Sequence, residues 1–170
     1  SNKCNLVSYG NPFSGQQKVG CTGDKIVCVL RPVPKYATSL QSSVARLSGD
    51  PEGYIKFILS FVESLPIFLR EKIVIRSGQK GVNEEGYINL KKRLLEADNN
   101  LRFIDDISFD AVKRSSRVMV CFYNGTTFLE CMAHGLPTLL VSDPDFDPIR
   151  ESVAVYYKRL EASGIYHKRG

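Results

Sequence analysis

From Lys25 onward, apolar residues follow two alternating rhythms. "KIVCVLRPV" (25–33) is a nearly unbroken apolar run, the pattern of a strand buried on both faces. "PEGYIKFILSFVESLPIFL" (51–69) instead repeats Ile55, Ile58, Leu59, Val62 and Leu65 at helical spacing, with Asp50 placed to cap and Pro51 at the first helical position. The alternation continues with a strand at "KIVIRSG" (72–78), a helix at "EGYINLKKRLLEA" (85–97), a short strand at "LRFIDD" (101–106) and a brief helix near 108–115. Then come the strand "RVMVCFY" (117–123), the helix "TTFLECMAHG" (126–135) closed by Gly135, and the strand "PTLLVSD" (137–143). The helix "DPIRESVAVYYKRLEASG" (147–164) ends the series, with Ile149, Val153, Tyr156 and Leu160 on one face. Residues 1–24 lack periodicity and are rich in Gly, Ser, Asn and Gln, so they read as a linker or tail; 166–170 read as a second tail, leaving 25–165 as the folded domain.

Apolar strands that each lead into an amphipathic helix predict an α/β fold: a Rossmann-like, doubly wound parallel sheet of about five to six strands covered on both faces. In such a sheet ligands bind beyond the carboxyl ends of the strands, where strand order reverses. The loops at those ends are all polar: Arg31 and Pro32; Arg76, Ser77 and Gly78; Asp105 and Asp106; Asn124, Gly125, Thr126 and Thr127; Ser142, Asp143 and Asp145.

"NGTTFLE" (124–130) has the features of an anion-binding turn. A helix starting at Thr126 leaves its first N–H groups unpaired, Gly125 permits close approach, and two threonines add hydroxyl donors. The competing expectation is ordinary capping by Asn124 or Thr126. Arg31 and Arg76 each follow a buried strand, where a planar guanidinium suits phosphate or carboxylate, with a structural salt bridge as the alternative. Glu130, one turn into the helix, faces either ligand or solvent. Asp105 and Asp106 fit a cap and turn, "DPDFDP" (143–148) a capped helix start, and His134 a helix end.

Composition narrows the functional classes. The 170 residues carry 23 Lys+Arg and 18 Asp+Glu, a net charge of +5, but the basic residues are scattered without interleaved aromatics, which argues against a nucleic-acid stripe. Five cysteines in no metal-binding spacing fit free thiols in a reducing compartment, with Cys131 a packed small hydrophobe rather than a nucleophile. No apolar run is long enough for a membrane span and no signal peptide opens the chain, so a cytoplasmic location is expected. The absence of GxGxxG, GxxxxGK[ST] and GxSxG removes the usual dinucleotide, P-loop and hydrolase readings. No metal site and no cofactor are expected.

The stretch "FIDDISFDAVKRSSRVMVCFYNGTTFLECMAHGLPTLLVSD" resembles the C-terminal, donor-binding half of GT-B glycosyltransferases. The likeness is nearest to bacterial surface-polysaccharide transferases of the Kdo type and to related transferases of spirochaetes, and it is strongest over residues 101–163. It implies that Asn124, Gly125, Thr126 and Thr127 contact the donor phosphate, that Glu130 lies near sugar or ribose, and that Arg31 and Arg76 assist. Gly125 stands where the family more often has serine. The resemblance further implies a nucleotide-sugar donor, CMP-linked by preference, a glycan acceptor reached through an N-terminal domain outside these residues, and work at the inner face of the membrane. It leaves the catalytic group unassigned and the isolated chain inactive. Rival readings are an epimerase or polyol-phosphate transferase on the same fold, or a degenerate interaction domain.

Overall fold

A computed structural model of the chain describes residues 20, 22–35, 50–77 and 88–169. Its five strands, β1 (Lys25–Val29), β2 (Ile73–Arg76), β3 (Ser116–Cys121), β4 (Thr138–Ser142) and β5 (Tyr166–Lys168), form one all-parallel sheet in the order β2-β1-β3-β4-β5. Central β1 is paired on both sides, Cys28 opposite Ile75 and Val120, which is why its run is apolar without alternation. Six α-helices are found among the described residues: α1 (Pro51–Ser64), α2 (Ile67–Arg70), α3 (Leu90–Ala97), α4 (Phe109–Ser115), α5 (Thr126–Ala133) and α6 (Ala154–Ala162). None is long and apolar enough to cross a membrane.

The helices divide between the two faces, as a doubly wound sheet requires. On one, α1 (Tyr54, Ile55, Phe57, Ile58, Val62) and α3 (Leu90, Leu94) pack over Ile26, Cys28, Ile73, Ile75 and Val120. On the other, Val112 of α4, Phe128 and Cys131 of α5 and Tyr157 and Leu160 of α6 pack over Val27, Val29, Met119, Cys121 and Leu140. Each fully buried aliphatic side chain contributes roughly 1.5–3 kcal/mol. Burial pushes the Cys28 thiol up to about 12, and a hydrogen bond to Cys131, then burial, raises that of Cys121, so these thiols act as small hydrophobes.

Local chemistry explains most element ends. Asp50 caps α1 by accepting the Gly53 N–H at 2.8 Å with Pro51 following, Asn89 caps α3 through Lys92 N at 2.9 Å, and Ser108 caps α4 through Ala111 N at 3.3 Å. After α5, Gly135 takes φ +70°, and Leu136 N and Gly135 N return to the carbonyls of Cys131 and Met132, both at 3.0 Å.

Five expectations change. The helix expected over 85–97 begins only at Leu90, where Asn89 caps it. The helix expected over 51–69 breaks at Leu65, held extended (φ −83°, ψ 146°) by Pro66, and resumes as the short α2. The strand expected at 101–106 shrinks to a single parallel bridge, Phe103 to Ile75, because Asp105 is drawn off to bond Ser77. The helix expected from 147 starts later: Asp143 ties down a turn through Asp145 N at 2.9 Å, and only a 3-10 turn at Glu151–Val153 leads into α6. In α6 it is Tyr157 and Leu160 that pack inward, while Tyr156, expected on the apolar face, is 60% exposed. Finally, the sheet runs past residue 165, since Tyr166–Lys168 pairs with Leu140–Ser142 as β5. The stretch assigned as a linker at 1–19, together with Gly78, residues 85–87, Cys4 and Cys21, lies outside the described residues.

Candidate functional site

Strand order reverses at β1: the chain crosses to β2 on one side and later returns to β3 on the other. With the Phe103 bridge counted as a third strand outside β2, the spatial order is 3-2-1-4-5-6, that of doubly wound nucleotide-binding sheets. Pairing of β1 with β3 ends where Phe122 N reaches Val29 O at 3.0 Å. Beyond it the two chains part, and a cavity of about 280 Å³ opens at this carboxyl edge, walled by Leu30, Pro32, Arg76, Tyr123, Thr127 and Glu130.

The turn feeding α5 is not conventionally capped. Gly125 is the N-cap residue in extended conformation, and no side-chain cap hydrogen bond is made, so capping by Asn124 or Thr126 does not occur. The backbone N–H of Asn124 donates to Asp147 Oδ2 at 2.7 Å. The N–H groups of Thr126 and Thr127, one and two places into the helix, have no intrahelical acceptor by geometry and carry the positive end of the dipole. Gly125 is required for a reason specific to this chain: the Tyr123 ring lies where its Cβ would stand. Tyr123 Oη in turn meets Thr127 Oγ1 at 3.0 Å, so ring, turn and helix form one unit.

Of the residues singled out from sequence, Arg76, Thr127 and Glu130 line the cavity. Asn124, Gly125 and exposed Thr126 form the adjoining turn. Among the described residues Arg76 has no carboxylate partner: its Nη1 donates to Ile107 O at 2.7 Å and its guanidinium lies 5.6 Å from the Phe109 ring centroid, which props it at the cavity wall. Arg31 is not a wall residue. Its backbone N–H donates to Tyr54 Oη at 3.1 Å, and its charge acts on Tyr54, Tyr123 and Asp147. Asp105 accepts both N–H (2.7 Å) and hydroxyl (3.0 Å) of Ser77, the structural role expected of it. Asp143 bonds Arg169 at 2.9 Å, and His134 forms the C-cap of α5.

Three contributors were not foreseen. Tyr123 reads as the last apolar residue of a strand, Lys113 as a surface residue of an amphipathic helix, and Asp147 as a helix cap. Lys113 Nζ is 2.8 Å from both Glu130 Oε1 and Asp110 Oδ1. Burial would lower the Lys113 pKa, but the hydrogen bonds to Asp110 and Glu130 outweigh it and hold the ammonium above its ordinary value. Glu130 therefore reaches the cavity with its charge partly offset, one ammonium serving both it and Asp110, while Arg76 and the α5 N-terminus supply positive potential.

Burial also raises the Asp147 carboxyl above its ordinary value, against the lowering effects of Asn124 N–H and Arg31. The sign follows from linkage: the folded chain holds this proton more tightly, so the associated stability is present below the unfolded pKa and lost as pH rises through the folded one. Asp147→Asn keeps an acceptor for Asn124 and removes the charge. Its melting temperature is expected to equal or exceed that of the parent at pH 7, with the gap closing below about pH 3. A lower melting temperature at pH 7 would show that the ionised carboxylate is the stabilising form.

A larger cavity, about 890 Å³, lies at the opposite, amino edge of the sheet among Phe61, Leu65, Phe68, Val118 and Leu139. It is mainly apolar, and volume alone does not make it the better site. The model of the LIC12162 family transferases matches residues 5–170, nearly the whole chain. The chain belongs to the LIC12162 family of transferases. No curated protein and no solved structure gives a match. For a LIC12162 family transferase, a carboxyl-edge cavity with an open helix N-terminus and an arginine in its wall is a setting in which negative charge can be held without large reorganisation.

Proposed function

We propose that this transferase domain binds the nucleotide-sugar donor of a glycosyl transfer, as the donor half of a GT-B-type enzyme of bacterial envelope polysaccharide synthesis. The observation carrying this reading is the N-terminus of α5, without a side-chain cap, opening beside Arg76 where strand order reverses. The donor phosphate sits on the N–H groups of Thr126 and Thr127, within reach of the threonine hydroxyls and Arg76, and Asn124 and Gly125 shape its approach. Charge building on the departing nucleotide is stabilised by groups already in place. Arg31 adds positive potential from the Asp147 side. The cavity of about 280 Å³ holds phosphate and roughly one ring, so the rest of the donor and the glycan acceptor lie beyond it, over surface supplied by an N-terminal domain. The likeness to Kdo-type transferases favours a CMP-linked sugar and a cytoplasmic position at the inner membrane face.

The test is thermal melting of the full-length protein against CMP, CDP, UDP, GDP and inorganic phosphate, with Thr126→Ala/Thr127→Ala as comparison. A ligand that binds the folded state alone stabilises it by RT ln(1 + [L]/Kd) and so raises the melting temperature. The expected result is a shift with CMP that the double variant loses. If every nucleotide and phosphate left the melt unchanged, the donor-site reading would be wrong.

A further inference from the structure

Lys113 is the lysine that folding removes from water among the described residues, its side chain 3% exposed. Burying an ammonium costs several kcal/mol unless it is fully paired, so its surroundings are informative. The amine projects from α4 toward α5, with Glu130 Oε1 and Asp110 Oδ1 each at 2.8 Å and His134 Nε2 at 3.3 Å. The Phe109 ring, whose centroid is 5.1 Å away, closes one side. The carboxylates differ in setting: Asp110 is 72% exposed, while Glu130 is 27% exposed and forms part of the cavity wall.

A solvated aspartate would suffice to neutralise Lys113. The second carboxylate is therefore better explained by what the lysine does to Glu130. An unpaired glutamate on the first turns of a helix samples several rotamers. With Lys113 behind it, the carboxylate is fixed through one oxygen, while its remaining lone pairs stay available as acceptors at the wall.

We propose that Lys113 is a positioning residue: it holds Glu130 as a fixed acceptor for a hydroxyl of the bound donor, next to the cradle that holds the phosphate. The inference rests on the donor-site reading above. It divides recognition into two parts, the α5 N-terminus with Arg76 for the anion and the Lys113–Glu130 pair for a hydroxyl-bearing ring. A nucleoside phosphate uses both parts; inorganic phosphate uses the first alone.

The experiment is calorimetric titration of the full-length protein with CMP and, separately, with inorganic phosphate, for the parent, Lys113→Met, Glu130→Ala and the double variant. Lys113→Met and Glu130→Ala are each expected to weaken CMP binding by about tenfold or more, the worth of one hydrogen bond to a charged group, while phosphate affinity changes less than twofold. In the double variant, Lys113→Met adds less than twofold to the effect of Glu130→Ala, because the lysine acts only through the glutamate. A purely structural lysine would weaken both ligands together, or neither, and that result overturns the proposal. So does an undiminished CMP affinity in Glu130→Ala, which needs no buried charge to be removed and leaves the phosphate cradle standing. A parent protein that binds neither CMP nor phosphate overturns the donor-site reading and this inference with it.

Discussion

Tyr166→Ala is expected to lower the free energy of unfolding by about 3–5 kcal/mol, the cost of emptying a buried aromatic site. Tyr166 is 1% exposed and pairs with Leu140 in the sheet. Its ring meets that of Tyr157 edge to face, centroids 5.2 Å apart, and so joins β5 to α6. β5 is only three residues long, and its other two, His167 and Lys168, are exposed. Almost all of the apolar burial that keeps this strand on β4 therefore comes from one side chain. Chemical denaturation should show a lower midpoint for Tyr166→Ala, with Lys158→Ala, on the exposed side of α6, within about 0.5 kcal/mol of the parent. A loss below about 1 kcal/mol would mean that β5 is not part of the cooperative unit.

Tyr166 also shows where sequence reading loses its grip. The interior strands were legible because residues 26–29 of β1 and 119–121 of β3 are buried and had to be apolar. The element types in the α5 region were equally plain, with Gly135 at the helix end and Thr138–Ser142 beyond it. An edge strand with one buried residue in three carries no such pattern, and "GIYHKR" has the composition of a tail. The short outer segment at Phe103 failed in the opposite direction. Its run is apolar enough for a strand, but Asp105 bonds Ser77 instead and the ladder stops after one bridge. In both places the outcome depends on a tertiary partner that lies far away in the sequence.

The site divides along the same line. Sheet topology and the loops after each strand pointed to Arg76, Thr127 and Glu130, all of which meet at one cavity. That followed from a general rule about carboxyl ends of parallel strands and needed no knowledge of side-chain packing. Lys113 was hidden because lysine on an amphipathic helix is ordinarily solvated; only the approach of α4 to α5 shows it buried against Glu130. Asp147 was hidden for a related reason, since its link to Asn124 N spans two loops. The balance of charge at the site is set by these two unforeseen residues as much as by the arginines.

Gly125→Ala is expected to destabilise the fold by about 1–3 kcal/mol and to abolish the thermal response to nucleotide. The backbone at this residue is extended, φ −144° and ψ −175°, so an alanine meets no conformational strain. The cost is steric: a Cβ at this position overlaps Cε2 of Tyr123 and lies 2.7 Å from its Cδ2. To make room the ring must swing away, which breaks the 3.0 Å bond from Tyr123 to Thr127 and moves the cavity wall. Because the clash is with a side chain and not with backbone, it should be relieved by shortening that side chain. In Tyr123→Ala/Gly125→Ala the second substitution should then add less than about 0.5 kcal/mol to the first, a clear departure from additivity. Denaturation of the four proteins of this cycle measures the coupling. Equal costs for Gly125→Ala with and without the Tyr123 ring would show that the glycine serves the turn itself, and that contact with the ring is not what demands a glycine at the mouth of the site.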